Sequence, residues 1–252
     1  MRPPFEIVAH RGVLDQAPEN TLQAFERAIQ IGVDAVEFDV RLTADRVPVV
    51  YHYFYLGEIT TTTGTIFDIT LDQLRDVCFQ GYKDEYQIST FEEVLQAIGG
   101  RIGMEIELKG PEPEAAQIVG GILRKFKHLW DTIEVTSFEP KLLTDLKIFC
   151  PGLTTDLLFP RSEPWMKLDV VAYLAHHRAR LAGAQAVHLH PSQLTEEVVT
   201  SIRAGGIEVH AWDVDDLETL DQIVTLEIPK ISTDNPKQAV KFRNGFIDHG
   251  PR

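Results

Sequence analysis

The sequence predicts a TIM-type (β/α)8 barrel. Three observations carry this prediction. Short apolar, strand-like segments alternate with amphipathic, helix-like ones along the whole chain. No linker or low-complexity run divides the 252 residues. About eight such repeats in this length suit a closed barrel better than an open doubly wound sheet. Alternating elements pair in parallel through right-handed crossovers, so residues 1–252 are read as one domain.

Phe5 to His10 reads as a buried strand. Thr21 to Ile31 is a helix, because Leu22, Phe25, Ala28 and Ile29 recur at helical spacing, with Asn20 or Thr21 as N-cap and Gly32 as the stop. Ala35 to Val40 is the next strand, and Val47 to His52 another after a turn near Asp45. Residues 53–90 then break the rhythm, with a Thr-rich loop, a short helix over Leu71 to Val77 and a polar stretch over Gly81 to Ser89. This is a small insertion on one edge of the domain. Strands follow at Arg101 to Lys109, Thr132 to Thr136, Leu153 to Leu158, Ala186 to His190, Ile207 to Val214 and Lys230 to Thr233. Helices occupy Thr90 to Ile98, Pro113 to Phe126, Pro140 to Phe149, Val170 to Leu181, Thr195 to Ala204, Leu217 to Leu226 and Pro236 to Arg243. That makes one strand too many, and the surplus is Val47 to His52, expected to pair locally with the second strand.

Apolar residues make up 44% and charged residues 25%, ordinary values for a globular chain with a sizeable core. The net charge of −14 speaks against nucleic-acid binding, which needs a basic face. It leaves room for an anionic small molecule, because a cation and a few basic side chains can reverse the local field. Cys78 and Cys150 lie far apart in no metal-like spacing and read as free thiols. With no signal peptide and no apolar run of membrane-spanning length, the expectation is a cytoplasmic protein without an integral membrane segment. Self-association stays open. No glycine-rich dinucleotide fingerprint or P-loop follows any strand.

In a barrel the chemistry sits where the strands end. His10, Glu37, Asp39, Glu107, Lys109, His188, His190, Trp212 and Asp234 all fall at or near C-terminal strand ends. Glu37 and Asp39 are two apart on one strand, so both face the same side with Cα atoms roughly 6–7 Å apart. A hard divalent cation, Mg²⁺ or Ca²⁺, would offset their repulsion, and Glu107 could add a third oxygen. Pairing of these acids with Arg41 or Lys109 is the plainer alternative. Glu105, deeper on the strand of Glu107, is either a ligand or a buried structural acid. His10 and His52 each end an apolar strand beside the predicted cation and a phosphate-sized basic pair, Arg11 and Lys109. There they suit general acid–base work.

These pieces resemble the glycerophosphodiester phosphodiesterase family: His10-Arg11-Gly12, Pro18-Glu19-Asn20-Thr21, Glu37-x-Asp39-Val40, Pro48-Val49-Val50-x-His52, Glu107-Leu108-Lys109, Ser137-Phe138, Trp212 and Thr233-Asp234-x-Pro236. They run in family order over nearly the whole chain. The resemblance implies a TIM barrel with an insertion after His52 that hydrolyses a glycerophosphodiester to glycerol 3-phosphate and an alcohol. It implies His10 and His52 as the acid–base pair, Glu37, Asp39 and Glu107 as ligands of one divalent cation, Arg11 and Lys109 on the phosphate, and Trp212 on the glycerol. Three places depart from the pattern. Tyr53 stands where the family usually has Asp, Tyr55 to Ile59 replaces a run that usually carries Arg, and Asp213-Val214-Asp215 replaces Thr-Val-Asn. An apolar lip of Tyr53, Phe54 and Tyr55 keeps a lysophospholipase D-like substrate in view, and a non-catalytic binder of the same diesters is the alternative outside the enzymes. His188, His190 and His210 lie outside the family pattern and read as barrel fillers or rim contacts, with metal ligation the lesser reading.

Overall fold

The structure, a computed structural model, describes residues 5–82 and 86–249. Residues 83–85 of the polar stretch expected over Gly81 to Ser89 lie outside the described residues, as do both chain ends. Eight parallel strands close into a barrel: β1 (Glu6–Ala9), β2 (Ala35–Leu42), β4 (Gly103–Leu108), β5 (Ile133–Ser137), β6 (Thr154–Leu158), β7 (Ala186–Leu189), β8 (Glu208–Ala211) and β9 (Lys230–Thr233). Closure comes from β1, which pairs with β2 on one side and β9 on the other. The surplus strand, β3 (Pro48–Val50), pairs antiparallel with β2, as its position in the sequence predicts, and Val49 also bridges to Thr90.

Among the described residues, helices α1 (Leu22–Ile31), α2 (Leu71–Leu74), α3 (Phe91–Ile98), α4 (Ala115–Lys125), α5 (Pro140–Phe149), α6 (Leu168–Ala182), α7 (Glu196–Ala204), α8 (Leu217–Thr225) and α9 (Pro236–His249) join these strands, with three short 3-10 helices between them. Their starts follow from side-chain caps. Thr21 accepts from the Ala24 N–H, so Thr21 rather than Asn20 caps α1. Thr90 and Glu93 form a reciprocal capping box on α3, and Asp216 and Thr219 another on α8. Gly32 ends α1 in the left-handed conformation at φ 78°, which costs a residue without Cβ little.

The main apolar core lies between strands and helices, where Phe25, Phe38 and Phe91 stack in sequence. All eight residues of β2 are buried, as expected of a parallel strand covered on both faces. A satellite core under the insertion gathers Val49, Tyr51, Leu56, Ile66, Leu74 and Phe79, and the Tyr51 hydroxyl reaches the carbonyls of Tyr55 and Leu56. The insertion therefore packs as a body of its own beside β3 and holds the residues that follow His52. At the opposite end of the barrel, Arg243 of α9 donates to the Phe5 carbonyl and pairs with Asp34, tying the last helix to the first strand.

Candidate active site

The segment leaving β1 turns sharply. Arg11 adopts φ 55° and Gly12 φ 91°. A Cβ on Gly12 would lie 2.7 Å from the Ala24 Cβ, so only glycine lets this loop press against α1. The turn aims the Arg11 N–H at Glu37 Oε2 (3.1 Å) and its guanidinium back over the barrel mouth. Arg11, Asn20 and Asp213 all hold positive φ, and all three line or buttress one cavity; such strain persists only where the surroundings enforce it.

That cavity, of about 230 Å³, opens at the C-terminal ends of the strands and is lined by His10, Arg11, Glu37, His52, Glu107 and Lys109, with Trp212 and Asp213 on its far wall. Of the eight residues singled out in the sequence, seven line it. The eighth, Asp39, lies fully buried beneath and is the hub of the network. Its Oδ2 accepts from Asn20 Nδ2 (2.8 Å), and Arg11 Nε stands 3.4 Å from the same oxygen. Its Oδ1 meets His52 Nδ1 and Lys109 Nζ, each at 3.2 Å. Lys109 also pairs with Glu107 at 2.9 Å, so the plainer alternative holds for this lysine. It does not hold for Arg41, which donates instead to the carbonyls of His52 (2.6 Å) and Gly110 (3.2 Å).

The two histidines sit in contrasting surroundings. His10 Nδ1 lies 2.6 Å from Asp234 Oδ1 and its Nε2 is 3.9 Å from Glu37. Burial lowers its pKa, but Asp234 and Glu37 outweigh that and raise it to about 9. His52 turns Nδ1 to Asp39, while its Nε2 faces Arg11 Nη2 at 3.3 Å. Burial, with Lys109 and Arg11 nearby, keeps this ring below the usual imidazole range despite Asp39. In the sequence Asp234 stands out only as a rim and motif residue and Glu19 only as part of a motif; their contacts emerge here. Glu19 braces Arg11 through both carboxylate oxygens at 3.1 and 3.2 Å and accepts from the Tyr53 hydroxyl at 3.4 Å, while the Tyr53 ring stands edge-on to His52. Tyr53 thus supports the arginine and the histidine from the insertion side.

Glu37, Asp39 and Glu107 each present an oxygen, all within 4.8 Å of one another. Burial, with Asp39 adding repulsion, pushes Glu37 well above the usual carboxylate range and Glu107 to about 7. Asp39 goes the other way: burial is overcome by the His52 hydrogen bond and by Lys109. Two carboxyls that ionise reluctantly around a third that stays charged form an all-oxygen set that fits a hard divalent cation. On the opposite wall Trp212 donates to the Phe159 carbonyl (3.2 Å) and meets Phe138 edge-to-face at 6.4 Å and His190 at 5.1 Å.

Comparison with known proteins points the same way. The model of the glycerophosphoryl diester phosphodiesterase family matches residues 10–238. A glycerophosphodiester phosphodiesterase of Bacillus altitudinis is 30% identical over 251 residues, covering 94% of this chain and 98% of that one. One of Caldanaerobacter subterraneus is 28% identical over 245 residues, covering 94% and 96%. Among solved structures, an Oleispira antarctica phosphodiesterase in complex with the product sn-glycerol-3-phosphate superposes with a TM-score of 0.81 at 26% identity, covering 95% of this chain and 96% of that one.

Proposed function

Because the chain belongs to the glycerophosphoryl diester phosphodiesterase family and is a phosphoric diester hydrolase, we propose that it cleaves glycerophosphodiesters to glycerol 3-phosphate and an alcohol, with His10 and His52 as the acid–base pair. The observation that carries this reading is the opposite hydrogen bonding of two histidines on one cavity. Asp234 holds His10 in its protonated form, ready to give a proton to the leaving alkoxide. Asp39 takes the Nδ1–H of His52, which leaves Nε2 as the proton acceptor toward the attacking hydroxyl. That hydroxyl belongs to water, or to the glycerol 2-position by way of a cyclic phosphate. Arg11 and Lys109 grip the phosphate, and Trp212 covers the glycerol carbons. Glu37, Asp39 and Glu107 would hold Mg²⁺ or Ca²⁺, whose charge stabilises the phosphoryl oxygens in the transition state. Among the described residues no helix is long and apolar enough to cross a membrane, and with this reading go a cytoplasmic location and a part in glycerolipid turnover.

The test is glycerol 3-phosphate release from glycerophosphocholine and glycerophosphoethanolamine by EDTA-treated protein, with and without added Mg²⁺ or Ca²⁺. Activity abolished by EDTA and restored by one cation is expected. Activity indifferent to EDTA would overturn the metal assignment. Phe54 and Tyr55, 48% and 62% exposed on the insertion just past His52, make lysophospholipids the alternative substrate. Preference for lysophosphatidylcholine over glycerophosphocholine would select it.

A further inference from the structure

Beneath the cavity, four consecutive barrel strands each send one polar side chain to a common point: Glu134 from β5, Asp156 from β6, His188 from β7 and His210 from β8. His188 Nε2 lies 3.3 Å from Glu134 Oε1, 3.4 Å from Asp156 Oδ2 and 3.1 Å from His210 Nδ1, and the last two atoms are 3.3 Å apart. Hydrogen bonding accounts for only part of this crowd. A ring nitrogen carries at most one hydrogen, yet three acceptors or ring nitrogens surround this one. Glu134 Oε1, on a residue only 9% exposed, faces the cluster with no hydrogen-bond partner. Tetrahedral coordination does account for it. Bonds of about 2.0–2.2 Å to nitrogen and oxygen set ligand atoms roughly 3.3–3.6 Å apart, close to the four spacings above, and the other two pairs lie within 4.8 Å.

We propose that Glu134, Asp156, His188 and His210 form a second metal site inside the barrel, for a borderline ion of the Zn²⁺ class. The surroundings complete it. Ala186 N–H donates to the other oxygen of Asp156 (2.8 Å), Lys230 Nζ holds the other oxygen of Glu134 (2.6 Å), and Glu105 stands 3.6 Å from His188 Nδ1. A carboxylate behind a ligating imidazole is the usual way its tautomer and orientation are fixed. One divalent ion together with Lys230 balances the three carboxylates Glu105, Glu134 and Asp156 while both imidazoles stay neutral, as ligation requires. The two imidazoles separate this site chemically from the all-oxygen rim set, and its burial makes exchange slow.

The experiment is elemental analysis of protein expressed with Zn²⁺ and dialysed against EDTA, beside Co²⁺ reconstitution of metal-stripped protein followed by visible absorption. About one transition-metal ion per wild-type chain is expected to survive dialysis, and Co²⁺ is expected to give the intense bands of a tetrahedral site. The double variant Glu37→Gln/Asp39→Asn should keep this ion, and His188→Gln/His210→Gln should lose it. Folded wild-type protein that retains no ion and gives no tetrahedral Co²⁺ spectrum overturns the proposal whatever the variants do. So does an ion lost in the rim variant and kept in the interior one.

Discussion

At the rim of the barrel, Glu37, Asp39 and Glu107 share their charge with Arg11 and Lys109. Deeper inside, Glu105, Glu134 and Asp156 gather around His188, His210 and the Lys230 ammonium. The two layers draw their supports from different parts of the chain. Arg11, Asn20, His52, Asp213 and Asp234 all lie outside the strands, on connections that open onto a cavity. The inner layer stands entirely on β4 to β9, with Asp156 and His188 each 1% exposed. Groups on connections can shift when a phosphate arrives. Groups on strands keep their places because the ladder on both sides fixes them. The contrast separates a layer built to exchange partners from one built to keep them.

The largest effect expected from breaking this contrast lies at the rim. His10→Ala or His52→Ala should cut turnover by about 10³-fold or more with little change in thermal melting. Steady-state kinetics beside melting curves checks this, and near-normal turnover in both variants would dissolve the acid–base pair. Next comes the inner layer. Glu134→Gln removes the partner of Lys230, whose side chain is 13% exposed, and should cost about 3–5 kcal/mol in urea unfolding while turnover per folded molecule is kept. A cost near zero would mean the inner charges re-pair as freely as the rim ones. The smallest effect sits at the joint between insertion and barrel. Thr90→Ala should cost about 1 kcal/mol through loss of the α3 cap.

At the same joint, burial pushes the Glu93 carboxyl up, but the hydrogen bonds from Arg75 and the Thr90 N–H outweigh it and hold the group below its ordinary range. A depressed carboxylate contributes stability that is present above its unfolded pKa and lost as pH falls through its folded one. The deficit of Glu93→Gln should therefore be smaller in acid, below the ordinary glutamate range, than at neutral pH. Thermal melts in the two pH ranges would show it, and a deficit undiminished in acid would assign the effect to packing instead.

Much of this architecture is legible in the sequence. α5 begins at Pro140, whose ring suits the first helical turn, and both ends of α5 and of β9 fall where the apolar pattern puts them. The strand expected over Ile207 to Val214 shortens to Glu208–Ala211 because the chain turns at Asp213, which sits at φ 57°. The closing helix runs beyond Arg243 to His249 because it continues where its apolar periodicity fades. The rim site is legible because its residues recur at strand ends and in a known order. The inner layer is not. Glu134 and Lys230 are 96 residues apart, each in a short strand whose neighbours are apolar, and only barrel closure brings them to 2.6 Å. His188 and His210 look like isolated core histidines until Asp156 is placed beside both.

The 2.6 Å bond between His10 and Asp234 spans 224 positions of the chain and lies across the seam where β9 meets β1. During synthesis Glu37, Asp39 and Glu107 emerge well before β9, and the seam cannot close until β9 is made. A product stalled before β9 therefore carries those three acids and both histidines without the carboxylate that pairs with His10. The proposed proton donor is therefore set only once β9 has closed on β1, so a chain stalled before Asp234 is expected to be inactive on the proposed diesters.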